Sequence, residues 1–153
     1  MTLVQEKITI SKKSSEKIQE LLKDFVNRIK VNGVFIITKS GQLIEEYGYL
    51  RDLNTLSLSA ILSGIADSIE NLGRLVKENI NDITIEGKEW KVYFKIFKED
   101  YILSCIYKGI NIGMVKFESI SLIKNLEDTL EYSKEEIKKD DVNDMIDKII
   151  KII

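Results

Sequence analysis

Apolar residues recur at helical spacing from Ile18 through Leu21, Leu22, Phe25 and Val26 to Ile29, one stripe on an amphipathic helix. Ser14 and Ser15 stand where an N-cap belongs, Glu16 falls in the favourable first turn, and Asn32-Gly33 supplies a C-terminal stop. The pattern then changes. Val34-Phe35-Ile36-Ile37-Thr38 is apolar on both faces, as expected of a central strand. Residues 42–49 mix Leu43, Ile44 and Tyr47 with Glu45 and Glu46, an edge strand whose charges discourage further pairing. Lys39-Ser40-Gly41 joins the two strands, with Gly41 providing the positive φ of a tight turn. Gly48 reads equally well as a bulge or as a tolerated edge glycine.

A long helix follows, starting near Asp52 or Asn54 and ending around Asn79. Leu53, Leu56, Leu58, Ile61, Leu62, Ile65, Ile69, Leu72, Leu75 and Val76 spread over more than one face, and small residues fill much of the remainder. Gly64 and Gly73 each cost about 1 kcal/mol in a helix interior relative to Ala, a cost best explained by a neighbour packed against the glycine. Such a helix cannot turn wholly toward water. Its own sheet covers one side, and the natural cover for the other is a second subunit.

Three strands complete the sheet. Ile83 and Ile85 alternate with Asp82, Thr84 and Glu86; Trp90, Val92, Phe94 and Ile96 share one face of the next strand, opposite Lys91, Tyr93, Lys95 and Phe97; and residues 101–107 are apolar almost throughout. Two central runs, 34–38 and 101–107, belong side by side with their hairpin partners outward. The predicted fold is therefore α+β, a sandwich of helices on a five-stranded antiparallel sheet with order 2-1-5-4-3. A third helix leads from Gly109-Ile110-Asn111-Ile112-Gly113 to about Tyr132, with Val115, Leu122, Leu126 and Leu130 in one stripe. Asp140-Asp141 reads as the cap of an extra C-terminal helix, whose stripe of Val142, Met145, Ile146, Ile149, Ile150 and Ile153 must dock somewhere. Each large apolar side chain left in water forfeits about 1.5–3 kcal/mol. The N-terminal segment, 1–13, is polar with a short extended piece at Ile8-Thr9-Ile10.

Composition narrows the chemistry. With 153 residues, 44% apolar and 31% charged, the chain reads as one globular domain with a real core. Its net charge of −2, with both signs mixed, gives no basic field for nucleic acid. No run reaches the roughly 18–20 apolar residues of a membrane span and no secretion signal is visible, so membrane insertion is not expected and a cytoplasmic location is. There is no His, which removes the commonest general base and metal ligand, and with one Cys it excludes Ser-His-Asp, Cys-His and thiolate or imidazole zinc sites within one chain. Cys105, in a central strand, reads as an inert core residue. The paired carboxylates Glu45-Glu46, Glu135-Glu136 and Asp140-Asp141 read as solvated edge or cap charges. No catalytic, cofactor-binding or metal-binding residue is expected.

The run Asn32-Gly33-Val34-Phe35-Ile36-Ile37-Thr38-Lys39-Ser40-Gly41-Gln42-Leu43-Ile44, the small-residue helix with Leu72-Gly73 near its end, and Ile112-Gly113-Met114-Val115-Lys116 resemble, as an ordered set, the roadblock (dynein light-chain) domains, including prokaryotic MglB-type proteins. The likeness spans residues 14 to 130 and gives a roadblock/profilin-like domain at 14–132, an N-terminal extension at 1–13 and a C-terminal helical extension at 133–153. The resemblance implies a dimer, homotypic by preference, whose third strands pair across a two-fold axis with the long helices packed together. Mapped onto this chain, that interface comprises Leu56, Ser59, Ser63, Ala66, Asn71, Ile83 and Ile85. It also implies a noncatalytic regulator or scaffold for a small Ras-like GTPase, acting in signalling. Two alternatives stand beside it. One is a ligand-sensing PAS- or profilin-like module with Trp90, Tyr93 and Tyr101 lining a pocket; the other is a structural subunit that oligomerises through its C-terminal helix.

Overall fold

The structure is a computed structural model describing residues 8–50 and 52–152. Its elements run α1 (Lys12–Ile29), β1 (Gly33–Thr38), β2 (Leu43–Gly48), α2 (Thr55–Val76), β3 (Asp82–Glu86), β4 (Lys91–Phe97), β5 (Tyr101–Tyr107) and α3 (Ile112–Ile152). The strands form one antiparallel sheet in the order β2-β1-β5-β4-β3. β1 and β5 lie side by side at its centre, with Val34 opposite Cys105 and Ile36 opposite Leu103. Pleating divides their side chains between two cores. Val34, Ile36, Leu103, Cys105 and Tyr107 pack beneath α1 and α3 with Ile18, Leu22, Phe25, Val115, Leu122 and Leu126. Phe35, Ile37, Phe94, Ile102 and Ile106 pack beneath α2 with Leu62, Ala66 and Ile69. Helices thus cover both faces, and this is why the two central strands are apolar throughout.

The ends of the helices differ from the sequence reading at several points. α1 is capped by Ser11, whose hydroxyl accepts from the Ser14 N–H, rather than by Ser14 or Ser15. Ser14 is buried, and Ser15 donates to Glu45 on β2. At the other end Lys30 takes the left-handed conformation, φ 65°, and closes α1 by donating its N–H to Val26; Gly33 instead opens β1. Ser11 has a second role. Its N–H donates to the Ser133 hydroxyl at 2.8 Å and its own hydroxyl donates to Glu136 at 3.0 Å, joining the start of α1 to the middle of α3. Ser11→Ala is expected to lower stability by about 1 kcal/mol through the lost cap, seen as a lower thermal midpoint by circular dichroism. Nearby, the Gln42 side chain exchanges two hydrogen bonds with the Ile8 backbone, so this part of the N-terminal segment lies against the β1–β2 turn; residues 1–7 lie outside the described residues.

The C-terminal segment is helical as expected but is not a separate helix: α3 runs unbroken through Asp140-Asp141. Residues 131–141 contain neither Gly nor Pro, and Glu135 and Lys139 stand at a favourable i, i+4 spacing, so nothing stops the helix there. The β-bulge also falls elsewhere. Ile36 faces Glu45 while Ile37 faces Leu43, which makes Ile44 the extra residue and leaves Gly48 in register opposite Gly33.

Candidate functional site

The inner stripe of α2 is Ser59, Leu62, Ala66, Ile69 and Gly73, at alternating spacings of three and four. This stripe lies on the sheet. Its position over the β1–β2 turn is fixed by a hydrogen bond from the Ser63 hydroxyl to the Lys39 carbonyl and by a Lys39–Glu70 ion pair at 2.5 Å. Asn54 caps the start of α2 by accepting from the Ser57 N–H. Lys77, with φ 59°, closes its end, and the Glu78 N–H donates to the Gly73 carbonyl. A Cβ on Gly73 would meet the Glu78 carbonyl oxygen at 2.7 Å, so this glycine is needed by the chain's own return and not by a neighbouring helix.

The outer stripe of α2 follows by phase: Ile61, Gly64, Ser68, Leu72 and Leu75. Leu75 is 81% exposed and Ile61 60%, while a Cβ on Gly64 would touch nothing within 4 Å. Leu56 and Val76 are exposed at the two ends. The sheet ends in β3, which among the described residues pairs with β4 alone. Ile83 packs into the α2-side core, and Ile85, two residues on and therefore on the same face, is 41% exposed. Ile85 and the outer stripe of α2 thus stand on the same side of the sheet.

The residues expected at an interface divide between the two faces of α2. Ser59 and Ala66 are fully buried within the chain, and Ser63 is committed to Lys39. Leu56, Asn71 and Ile85 are exposed, with Asn71 held by Arg74. The large residues that face outward on α2 are Ile61, Leu72 and Leu75, because the small residues Ser59 and Ala66 turn toward the sheet. The phase of Ser59, Leu62 and Ala66 against the sheet was the signal that separates the two faces. The tail residues Val142, Met145, Ile146, Ile149 and Ile150 are all exposed, so no part of the described chain covers them; Ile153 lies outside the described residues.

The three aromatics considered for a ligand pocket are engaged separately. Lys108 Nζ sits 4.7 Å above the Trp90 ring, the Tyr93 hydroxyl donates to Asp82 at 3.3 Å, and Tyr101 stacks on Phe97 at 5.5 Å. Two depressions of about 760 Å³ each are open to solvent, and neither is lined by any of the three. Burial pushes the Cys105 thiol up to about 12, which leaves it protonated and unreactive at neutral pH. Among the described residues no three His, Cys, Asp or Glu side chains converge as a metal site would require, and no helix is long and apolar enough to cross a membrane.

What the geometry offers is a three-layer α+β module with an unpaired strand edge at β3 and an exposed apolar outer face on α2. The model of the Roadblock/LC7 domain matches residues 17–108, and the chain belongs to that family. Among solved structures it is similar to MglB of Myxococcus xanthus, at 24% identity and TM-score 0.72, over 76% of this chain and 96% of that one. It is also similar to the gliding protein MglB of Thermus thermophilus, at 16% identity and TM-score 0.76, over 84% and 99% of the two chains. A third likeness is to an MglB with a tetrameric arrangement, at 16% identity and TM-score 0.79, over 85% and 99%. No curated protein matches the sequence.

Proposed function

We propose that this protein is a noncatalytic, cytoplasmic, homodimeric regulator or scaffold for a small Ras-like GTPase. Its roadblock body would comprise residues 14–132, with extensions at 1–13 and 133–153. The observation that carries the reading is the unpaired edge of β3, whose Ile83 packs into the α2-side core, together with the exposed outer stripe of α2. An edge strand with alternating isoleucines is a template for another strand, and a two-fold axis beside it would pair β3 with β3 and bring α2 against α2. Ile85, Leu72 and Leu75 would then leave water together, at about 1.5–3 kcal/mol for each fully buried side chain. Family membership and the tetrameric MglB among the structural neighbours support self-association of this fold. The absence of His favours a role in which the GTPase supplies its own chemistry and this protein orders or holds it.

Two measurements test the proposal. In light scattering after size exclusion, Leu72→Asp combined with Ile85→Glu is expected to remove the contact made through β3 and α2 while the helical signal is retained. An unchanged mass would reject that interface. Ras-like GTPases from the same genome, loaded with GDP or a GTP analogue, are expected to be captured in a nucleotide-dependent way or to change their hydrolysis rate. Failure of every candidate in both assays would reject the GTPase role.

A further inference from the structure

We propose that Asp82 and Glu86 make the β3 edge selective by charge. It pairs weakly with its own copy and more tightly with an edge strand that carries basic side chains opposite both carboxylates. The inference rests on the reading of β3 as the dimer edge and adds what that edge prefers. It starts from the backbone. The Ile96 N–H donates to the Asn81 carbonyl, and the Gly87 N–H to the Trp90 carbonyl. Antiparallel bonding alternates along a strand, so Ile83 and Ile85 also bond inward to β4. Asp82, Thr84 and Glu86 therefore turn their N–H and C=O groups outward, to any strand that joins the edge. A two-fold axis at Thr84 engages all of them in both copies, with Thr84 opposite itself. An axis at Ile83 leaves Glu86 outside the pair, and one at Ile85 leaves Asp82 outside it. The fullest self-pairing thus sets Asp82 of each copy directly opposite Glu86 of the other.

That register is electrostatically unfavourable. Asp82, Thr84 and Glu86 stand opposite Lys95, Tyr93 and Lys91 of β4, on the side of the sheet that Tyr93 shares with α1 and α3. Side chains directly opposite on neighbouring strands lie about 5 Å apart, where like charges destabilise the pair. The nearby cations do not cancel this contact. Glu86 already has Lys91 at 4.0 Å, and Asp82 already faces Lys95 and accepts from the Tyr93 hydroxyl within the same copy. Each of these lysines would lie two strand spacings, about 10 Å, from the other copy's carboxylate, beyond the Debye length of about 8 Å at physiological salt. Farther out, Lys124 and Glu127 of α3 stand beside Lys95 and offset each other. Lys88 and Glu89 at the hairpin tip, and Lys77 and Glu78 before β3, are likewise neighbours of opposite sign. On the α2 side the same register brings Ile83 against Ile85, which suits any apolar partner. The isoleucines make the edge adhesive, and the carboxylates select what adheres. A basic residue opposite each carboxylate turns both repulsions into ion pairs.

The experiment follows dilution series of the full chain by light scattering. Glu86→Lys and Asp82→Lys, each alone, are expected to tighten self-association about tenfold, because each sets a base opposite an acid at both ends of the pair. The two changes in one chain set base against base, and the gain is lost. That doubly changed chain serves as the basic-edge partner: mixed with the wild type, it is expected to form a tighter pair than either chain forms with itself. Glu20→Lys, on α1 and away from the edge, changes the net charge equally and is expected to leave the affinity unaltered. Glu86→Lys keeps the hydrogen bond between Tyr93 and Asp82, so the outcome does not hang on a variant that disturbs it. The proposal is overturned if the single reversals fail to tighten the pair while Leu72→Asp with Ile85→Glu breaks it; the β3 interface then stands without charge selectivity. An equal gain from Glu20→Lys also rejects it, by assigning the effect to net charge. If Leu72→Asp with Ile85→Glu leaves the mass unchanged, the interface and its selectivity fall together.

Discussion

Gly48→Ala lowers the stability of the fold by at least about 3 kcal/mol, measured as the shift in a urea unfolding curve. Gly48 has φ +122°, a backbone conformation that an L side chain adopts only with strain of about 1–3 kcal/mol. Steric conflict adds to this. A Cβ there would lie 2.4 Å from the Asn32 carbonyl oxygen and 2.7 Å from the Gly33 Cα, and both are backbone atoms that cannot swing aside. The same Asn32 carbonyl accepts the Tyr49 N–H at 2.9 Å, so relief by moving β2 outward sacrifices that bond and the register opposite Gly33. Gly64→Ala is the control. It sits in open space on α2 and is expected to stabilise the isolated chain by about 1 kcal/mol, from helix propensity alone.

The second large effect is alkaline. Burial is the main reason that Cys105 is pushed up to about 12 from an ordinary value of 9.0. Tyr93 is raised well above its ordinary 10.0, by burial first and then by the charge and hydrogen bond of Asp82. Both groups keep their protons in the folded state after the unfolded chain has released them. Their contribution is therefore complete below pH 9 and is lost as pH rises toward 12, at about 1.4 kcal/mol per pH unit for each group in its window. Urea midpoints across this range should decline steeply in the wild type. Cys105→Ala should flatten the part that starts near pH 9, and Tyr93→Phe the part that starts near pH 10. A decline of equal slope in both variants would show that other groups dominate the alkaline transition.

The sheet was legible in the sequence because strands buried on both faces have little choice. Residues 34–38 and 101–107 carry no charge to turn outward, and two such runs can only be neighbours at the centre. The phase of α2 was less legible. Small and large residues are mixed on both of its sides, and Gly73 looked like a packing notch although it serves the turn at Glu78. The cap at Ser11 was hidden because three serines precede the stripe, and only the partners Ser133 and Glu136, more than 120 residues away, select the first. For the tail, periodicity identified the apolar stripe correctly but could not show whether the helix restarts at Asp140. A run rich in Lys and Glu without a breaker let it continue.

The unbroken course of α3 has a mechanical consequence. A helix with no glycine or proline beyond Gly113 has no weak joint, so the roughly five turns after Ser133 behave as a rigid arm rather than as a tether. A sideways load at Ile149 is carried to Leu126 and Leu130 in the core and, through Ser133 and Glu136, to Ser11 at the head of α1. The two helices over that face of the sheet therefore respond to the arm as one plate, and the arm's direction in space is set by the body that it leaves.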